Sequence, residues 1–194
     1  MIGMLTLKSW LENNYPFLTS SDIEFFKPWL VEKTIRKDEH LLVAGNCCRE
    51  LSFLVSGLFR MYCISDGKEI NMHFFFENDF VADYGSLLSQ EPARYSIQAL
   101  ETSRVVCFSQ EVLLEAYGRS KNWERLGRIM AERFACMFAD RLETFLFMDG
   151  RGRYLYLMEE NPQIFDRVPL YHLASYLGME RESLSRIRQR ICRS

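Results

Sequence analysis

Between Asn122 and Met148 the chain runs 27 residues with no proline and a single glycine, Gly127. Apolar residues recur at Trp123, Leu126, Ile129, Met130, Phe134, Met137, Phe138, Leu142, Phe145 and Met148, the three-and-four spacing of one side of an α-helix. At 1.5 Å per residue such a helix is roughly 40 Å long. Its stripe is wider than a coiled-coil seam, so one side is expected to pack on its own domain and another on a second copy of itself. A helix this long overhangs a small domain, and the expectation is a homodimer formed through residues 122–148.

The stretch from about Lys37 to Ser109 has a different period. Short β-branched and aromatic runs are punctuated by Gly45-Asn46, Ser56-Gly57, Asp66-Gly67 and Asn78-Asp79. Strands at that spacing imply an antiparallel sandwich or roll. Asp66-Gly67 is the clearest turn, because the pair supplies the positive φ angles of a type I′ hairpin joining Leu58–Ser65 to Glu69–Phe76. Ahead of the strands, Leu7, Trp10 and Leu11 have helical spacing, Pro16 breaks it, and Ser21 with Glu24 reads as a capping box. Phe25, Phe26, Trp29 and Leu30 follow on the expected buried side.

A short helix is expected over Gln110 to Tyr117, ahead of the long one. After Asp149-Gly150 breaks the pattern, another runs over Arg153–Glu160 and ends before Pro162. The expected fold class is α+β: an antiparallel, jelly-roll-like β-roll, a long helix, and a small helical domain. The expected division is residues 1–148 and 149–194.

That second domain carries the sharpest pattern. Two crossed helices joined by a tight turn need a small residue at the crossing and a positive φ in the turn; Ala174 and Gly178 stand there, four residues apart. Pro169 suits a helix start. Leu170, Leu173, Leu177, Met179, Leu184 and Ile187 form the apolar faces that lock the pair. Arg181, Glu182, Ser183, Ser185, Arg186 and Arg188 remain for the outside of a second helix running from about Arg181 to Arg190. Arg bonds guanine O6 and N7 bidentately, and Glu accepts from the cytosine amino group, so these residue types suit a recognition helix in the major groove. Arg188, Arg190 and Arg193 are expected on phosphates. Glu180 stands where Ser or Thr would cap the helix, and the expectation is fraying when unbound.

Charge agrees with that placement. Residues 1–149 carry 16 basic and 21 acidic side chains, whereas 150–194 carry 8 and 5. Five arginines and one glutamate fall within 181–194. A basic tip on an acidic body suits contact with a phosphate backbone.

Several classes are argued against. No apolar run approaches the roughly 20 residues of a membrane span and no secretory leader opens the chain, so a cytoplasmic protein with no membrane partner is expected. The six cysteines, Cys47, Cys48, Cys63, Cys107, Cys136 and Cys192, lack CxxC spacing and read as small hydrophobes rather than a metal or disulfide framework. Asp83, His73, His172 and Ser175 fall in no nucleophile or acid–base arrangement, so catalysis is not expected.

Three landmarks in order resemble the Crp/Fnr family of bacterial transcription regulators. Phe53-Leu54-Val55-Ser56-Gly57-Leu58 with Asp66-Gly67-Lys68-Glu69 and Asn78-Asp79-Phe80 resembles the roll of its cyclic-nucleotide-binding domain. The long helix resembles its dimer helix, and Arg181-Glu182-Ser183-Leu184-Ser185-Arg186 its recognition helix. The resemblance implies a homodimer, an effector-sensing roll and a paired helix-turn-helix on near-palindromic double-stranded DNA, with RNA polymerase as a further partner. It aligns Arg181, Glu182 and Arg186 with base-contacting residues of the Crp branch, and Glu182, Ser185 and Arg186 with those of the Fnr branch. A guanine opposite Arg186 is the expectation common to both.

The resemblance has two departures. The sequence ends soon after the recognition helix, so the family's β-hairpin wing is not expected and weaker binding is one implied result. The sensor slots also differ. Where family members hold the ribose of a cyclic nucleotide with Gly-Glu, this chain has Ala82-Asp83, followed by Tyr84. The family's Arg-Ser phosphate slot falls on Ala93 and Arg94, ahead of Tyr95, and a one-residue offset turns a strand side chain to the opposite face. Ordinary cAMP binding is argued against, leaving an unidentified small-molecule effector. No N-terminal cysteine cluster suits an iron–sulfur centre, and His73 reads as a strand residue rather than a haem ligand. The alternative reading is a small-molecule-binding module without DNA binding.

Overall fold

The computed structural model describes residues 2–191. Cys192 and Arg193 lie outside the described residues. Helices α1 (Ile2–Asn14) and α2 (Ser20–Phe26) and a 3-10 turn (Lys27–Trp29) lead into β1 (Val31–Ile35), β2 (His40–Leu42), β3 (Glu50–Ser56), β4 (Phe59–Ser65), β5 (Lys68–Phe75) and β6 (Phe80–Val81). After α3 (Tyr84–Ser89) come β7 (Ser96–Ala99), β8 (Ser103–Ser109), α4 (Gln110–Arg119) and the long α5 (Lys121–Phe147). The C-terminal helices are α6 (Gly150–Glu160), α7 (Ile164–Arg167), α8 (Leu170–Tyr176) and α9 (Arg181–Ile191).

The strands form two four-stranded sheets, ordered β1-β8-β3-β6 and β2-β7-β4-β5. This is the antiparallel roll expected from the turn spacing. The period-two pattern sets the register: on β4 and β7 the apolar pairs Phe59↔Ala99 and Met61↔Ile97 alternate with the polar pairs Arg60↔Gln98 and Tyr62↔Ser96. Phe53, Leu54, Leu58, Phe59, Val81, Ile97, Val105 and Val106 are essentially inaccessible and form the roll's core. Each such side chain contributes about 1.5–3 kcal/mol relative to an exposed one. At the hairpin tip Asp66 and Gly67 both have positive φ, 50° and 73°, as a type I′ turn requires.

Two caps differ from expectation. Helix α2 begins at a capping box made by Thr19 and Asp22, not Ser21 and Glu24: Asp22 N–H donates to Thr19 Oγ1 at 3.2 Å, and Thr19 N–H donates to Asp22 Oδ2 at 2.8 Å. The consecutive hydroxyl residues of Thr19-Ser20-Ser21 leave the frame ambiguous, and Asp22 decides it by also meeting α5. Asp149 starts a helix as well as ending one, since its carboxylate accepts from Gly152 N–H at 2.7 Å, so α6 begins at Gly150 rather than Arg153.

Packing divides the chain into two compact units, Met1–Cys63 with His73–Ala131, and Ile64–Met72 with Glu132–Ser194. The units do not follow the 148/149 division expected from the sequence. The C-terminal half of α5 and the tip of the β4–β5 hairpin group with the C-terminal helices. Along α5, Trp123 and Leu126 are buried in the first unit, whereas Phe138, Leu142, Phe145, Leu146 and Phe147 are exposed.

Candidate nucleic-acid interface and sensor pocket

Helix α8 closes on a tight turn held by hydrogen bonds to its last carbonyls. Met179 N–H donates to Ala174 O at 3.0 Å and Gly178 N–H to Ser175 O at 3.1 Å, the paired bonds of a Schellman motif, with Gly178 at φ +65° in its left-handed position. The two carbonyls left over, which a helix end cannot satisfy internally, are taken by arginines. Arg141 Nη2 donates to Tyr176 O at 2.8 Å and Arg153 Nε to Leu177 O at 2.9 Å. Arg153 Nη1 also donates to Met148 O at 2.8 Å, tying α6 to the end of α5. Both guanidinium groups stand over the Phe145 ring, at 5.0 and 4.8 Å, and Arg141 also stands over Tyr176 at 3.8 Å. Burial lowers the Arg141 pKa against the opposing effect of Tyr176.

Helix α9 then starts with Ser183 and Leu184 N–H donating to Glu180 O at 3.1 and 3.2 Å. Leu173, Ala174, Leu177 and Leu184 are buried between α8 and α9, with Leu170, Met179 and Ile187 half-buried around them. Of the residues expected outside, Arg181, Glu182 and Arg186 are exposed, whereas Ser183, Ser185 and Arg188 are half-buried. Arg186 Nη2 donates to Ser183 Oγ at 3.3 Å. Arg190 is exposed in the last turn.

Sequence reasoning missed the polar seat of α8. His172 and Asn71 are buried, 3 % and 1 % exposed, and Asn71 Nδ2 lies 3.3 Å from His172 Nδ1 and 3.4 Å from His172 O. Asn71 N–H donates to Ser175 Oγ at 3.0 Å, and Ser175 Oγ–H donates to Glu69 O at 2.8 Å. The hairpin edge therefore finds its partner in helix side chains. Glu180, read as a poor cap, turns its carboxylate to Lys68 at 3.4 Å.

The sensor positions lie in the first unit. Ala82 and Asp83 are buried and Tyr84 is half-buried. Asp83 Oδ1 accepts from Ser86 N–H at 3.1 Å, so this carboxylate caps α3. Ala93 is buried with its backbone bonded both ways to the facing loop: its N–H donates to Asn46 O and its carbonyl accepts from Gly45 N–H, each at 2.9 Å. Arg94 is exposed and Tyr95 half-buried. The positions expected to hold ribose and phosphate are thus occupied by a helix cap and a backbone clasp. Burial, with Tyr84 nearby, pushes the Tyr117 hydroxyl well above its ordinary pKa.

His73 lies on β5 against Phe75, ring centroids 4.7 Å apart. Among the described residues no group of three or more His, Cys, Asp or Glu side chains is placed to hold a metal ion. No helix among them is long and apolar enough to cross a membrane.

Residues 32–120 match the cyclic nucleotide-binding domain family. No curated protein sequence matches the chain. Among solved structures, FixK2 from Bradyrhizobium japonicum is similar at 20% identity over 84% of each chain, with a TM-score of 0.74. The c-di-GMP responsive global regulator CLP of Xanthomonas campestris is similar at 17% identity over 89% of this chain and 91% of that one, with a TM-score of 0.70. A Crp/Fnr-family protein from Eubacterium rectale is similar at 19% identity over 89% and 83%, with a TM-score of 0.67. Residues 32–120 are thus similar to a cyclic nucleotide-binding domain, and over most of its length the chain shares the fold of these Crp/Fnr-type structures.

Proposed function

We propose that this chain is a homodimeric, sequence-specific DNA-binding transcription regulator of the Crp/Fnr type, with a sensor roll altered at the nucleotide positions. The observation that carries the reading is the construction of α8 and α9. Arg181, Glu182 and Arg186 are exposed on one short helix whose angle to its neighbour is fixed by the Gly178 turn and two buried-carbonyl arginines. A rigid helix that presents Arg and Glu near its N-terminus suits major-groove readout, where Arg186 meets a guanine.

Dimerisation is supported by α5, whose Phe138, Leu142 and Phe145 are exposed at four- and three-residue intervals. Such a row on one helix is the surface a second copy would cover. Pairing places two recognition helices on half-sites about one helical turn, roughly 34–36 Å, apart. A c-di-GMP responsive regulator among the structural relatives is consistent with an effector-controlled assembly. Here, with Asp83 and Ala93 committed to local structure, the effector is a small molecule other than an ordinarily bound cAMP. RNA polymerase is the further partner, the setting is cytoplasmic, and no catalytic role is assigned.

The test is a titration of labelled duplex containing a selected site with the parent chain and Arg186→Ala. The substitution is expected to cost about 1–3 kcal/mol on that site and to relax discrimination at one base pair. An equal loss on all duplexes would instead make Arg186 a phosphate contact and remove it from sequence readout.

A further inference from the structure

Beneath α1 and α2 the first unit has a partly open cavity of about 170 Å³ that none of the sensor positions lines. Leu7 and Leu11 of α1, Ile23 and Phe26 of α2, Phe108 of β8 and Trp123 of α5 line it. The aromatic wall is well packed, with Phe26 centred 4.9 Å from Phe108 and 4.3 Å from Trp123, so the space lies beside these rings. An apolar cavity of about 150 Å³ stays dry and accepts a benzene ring. By that measure this one admits an apolar body of roughly six to eight carbons.

The polar residues of the lining are all charged. Lys8 and Lys27 bracket Glu24, with Nζ atoms 3.3 and 3.1 Å from its two carboxylate oxygens. Two ammonium groups thus share one carboxylate, leaving a net positive charge on the lining. Lys8 also approaches Glu12, at 3.9 Å, but Glu12 does not line the cavity. Lys27 is 68% exposed, which places this charge at the solvent side of an otherwise apolar space.

We propose that the cavity is a binding site for a small monocarboxylate, its aromatic or short aliphatic body lying among Leu7, Leu11, Ile23 and Phe26 and its carboxylate meeting Lys8 and Lys27. The occupant bears on the start of the long helix. Trp123 Nε1 donates to Asp22 O at 3.0 Å, and the Asp22 carboxylate accepts from Ser120 Oγ at 2.5 Å and Asn122 Nδ2 at 2.9 Å. Filling the cavity therefore presses on the joint between α2 and the first turn of α5. The site differs from the slots at Ala82, Asp83 and Ala93, and its occupancy does not depend on DNA binding.

The test is calorimetric titration of the full chain with phenylacetate and octanoate, with Trp emission followed in parallel. Both carboxylates are expected to bind saturably, shift the emission and remain bound in excess cAMP, while octylamine binds at least tenfold more weakly. Exposed charge pairs contribute modestly, so Lys8→Gln with Lys27→Gln is expected to weaken carboxylate binding about five- to tenfold. Leu11→Trp, which takes up a large part of the space, is expected to weaken phenylacetate binding at least tenfold. Absence of saturable binding overturns the proposal. So does an affinity unchanged by the lysine substitutions, or undiminished in a folded Leu11→Trp chain.

Discussion

Replacing Gly178 by Ala tests how the turn between α8 and α9 is held. Two costs can be separated. The first is backbone: Gly178 sits at φ +65°, where an L side chain costs about 1–2 kcal/mol. The second is steric: a Cβ there would stand 2.6 Å from Phe145 Cε1 and 3.3 Å from Cζ. Carbon pairs settle at roughly 3.5–4.0 Å, so the ring must withdraw by about 1 Å. Phe145 is 39% exposed, so its ring would withdraw toward solvent, which takes it from under Arg141 and Arg153. Each such cation–ring contact contributes about 0.5–1 kcal/mol when partly exposed. The expected total is about 2–4 kcal/mol. Hydrogen exchange of the α8 and α9 amides, with urea unfolding of the full chain, reads this directly. Gly178→Ala in a Phe145→Ala background should lose only the backbone part, a coupling of about 1–2 kcal/mol. Gly178→Asn, which tolerates left-handed φ, should lose mainly the ring part. A Gly178→Ala cost below about 0.5 kcal/mol, or equal costs in the two backgrounds, would mean that the left-handed backbone and Phe145 do not both hold the turn in this way.

Three further outcomes are expected. Arg153→Ala leaves Leu177 O and Met148 O without their charged donor and should destabilise the C-terminal helices by about 1.5–3 kcal/mol, seen as faster exchange in α8. Burial raises the Asp22 pKa, but hydrogen bonds from Ser120, Asn122 and Thr19 outweigh it and bring it from 3.8 down to about 2. Because the folded value is the lower one, this stabilisation is complete above about pH 4 and is lost as pH falls towards 2. An acid titration of stability should therefore lose about 1–2 kcal/mol in that window, and Asp22→Asn should flatten it. Leu142→Arg, at a 60% exposed position on α5, should leave the fold intact and convert the proposed dimer to a monomer by light scattering.

The roll and the helix pair were legible in the sequence because their determinants are local. Asp66-Gly67 dictates its own backbone, and the interval between Ala174 and Gly178 with the flanking leucines dictates a helical hairpin. What was not legible comes from distant segments. Arg141 and Arg153 carry no local signal, because nothing in their own neighbourhood announces the orphan carbonyls of Tyr176 and Leu177 that they satisfy. Asn71 and His172 are 101 residues apart, and neither period two nor period 3.6 pairs them. Ser21 and Glu24 matched a capping box as well as Thr19 and Asp22 did, and only the contact of Asp22 with Ser120 and Asn122 distinguishes the frames. The departures at Ala82 and Ala93 were visible as substitutions, whereas the use of Asp83 as a helix cap needed three dimensions.

Selection of bound sites from random duplex DNA by the purified chain shows whether α9 reads DNA sequence. The expected result is enrichment of a near-palindromic site with half-sites about one helical turn apart, each with a guanine that loses its enrichment when Arg186→Ala is used. Failure to enrich any sequence, at a salt concentration where the chain is folded and dimeric, would contradict sequence readout by α9.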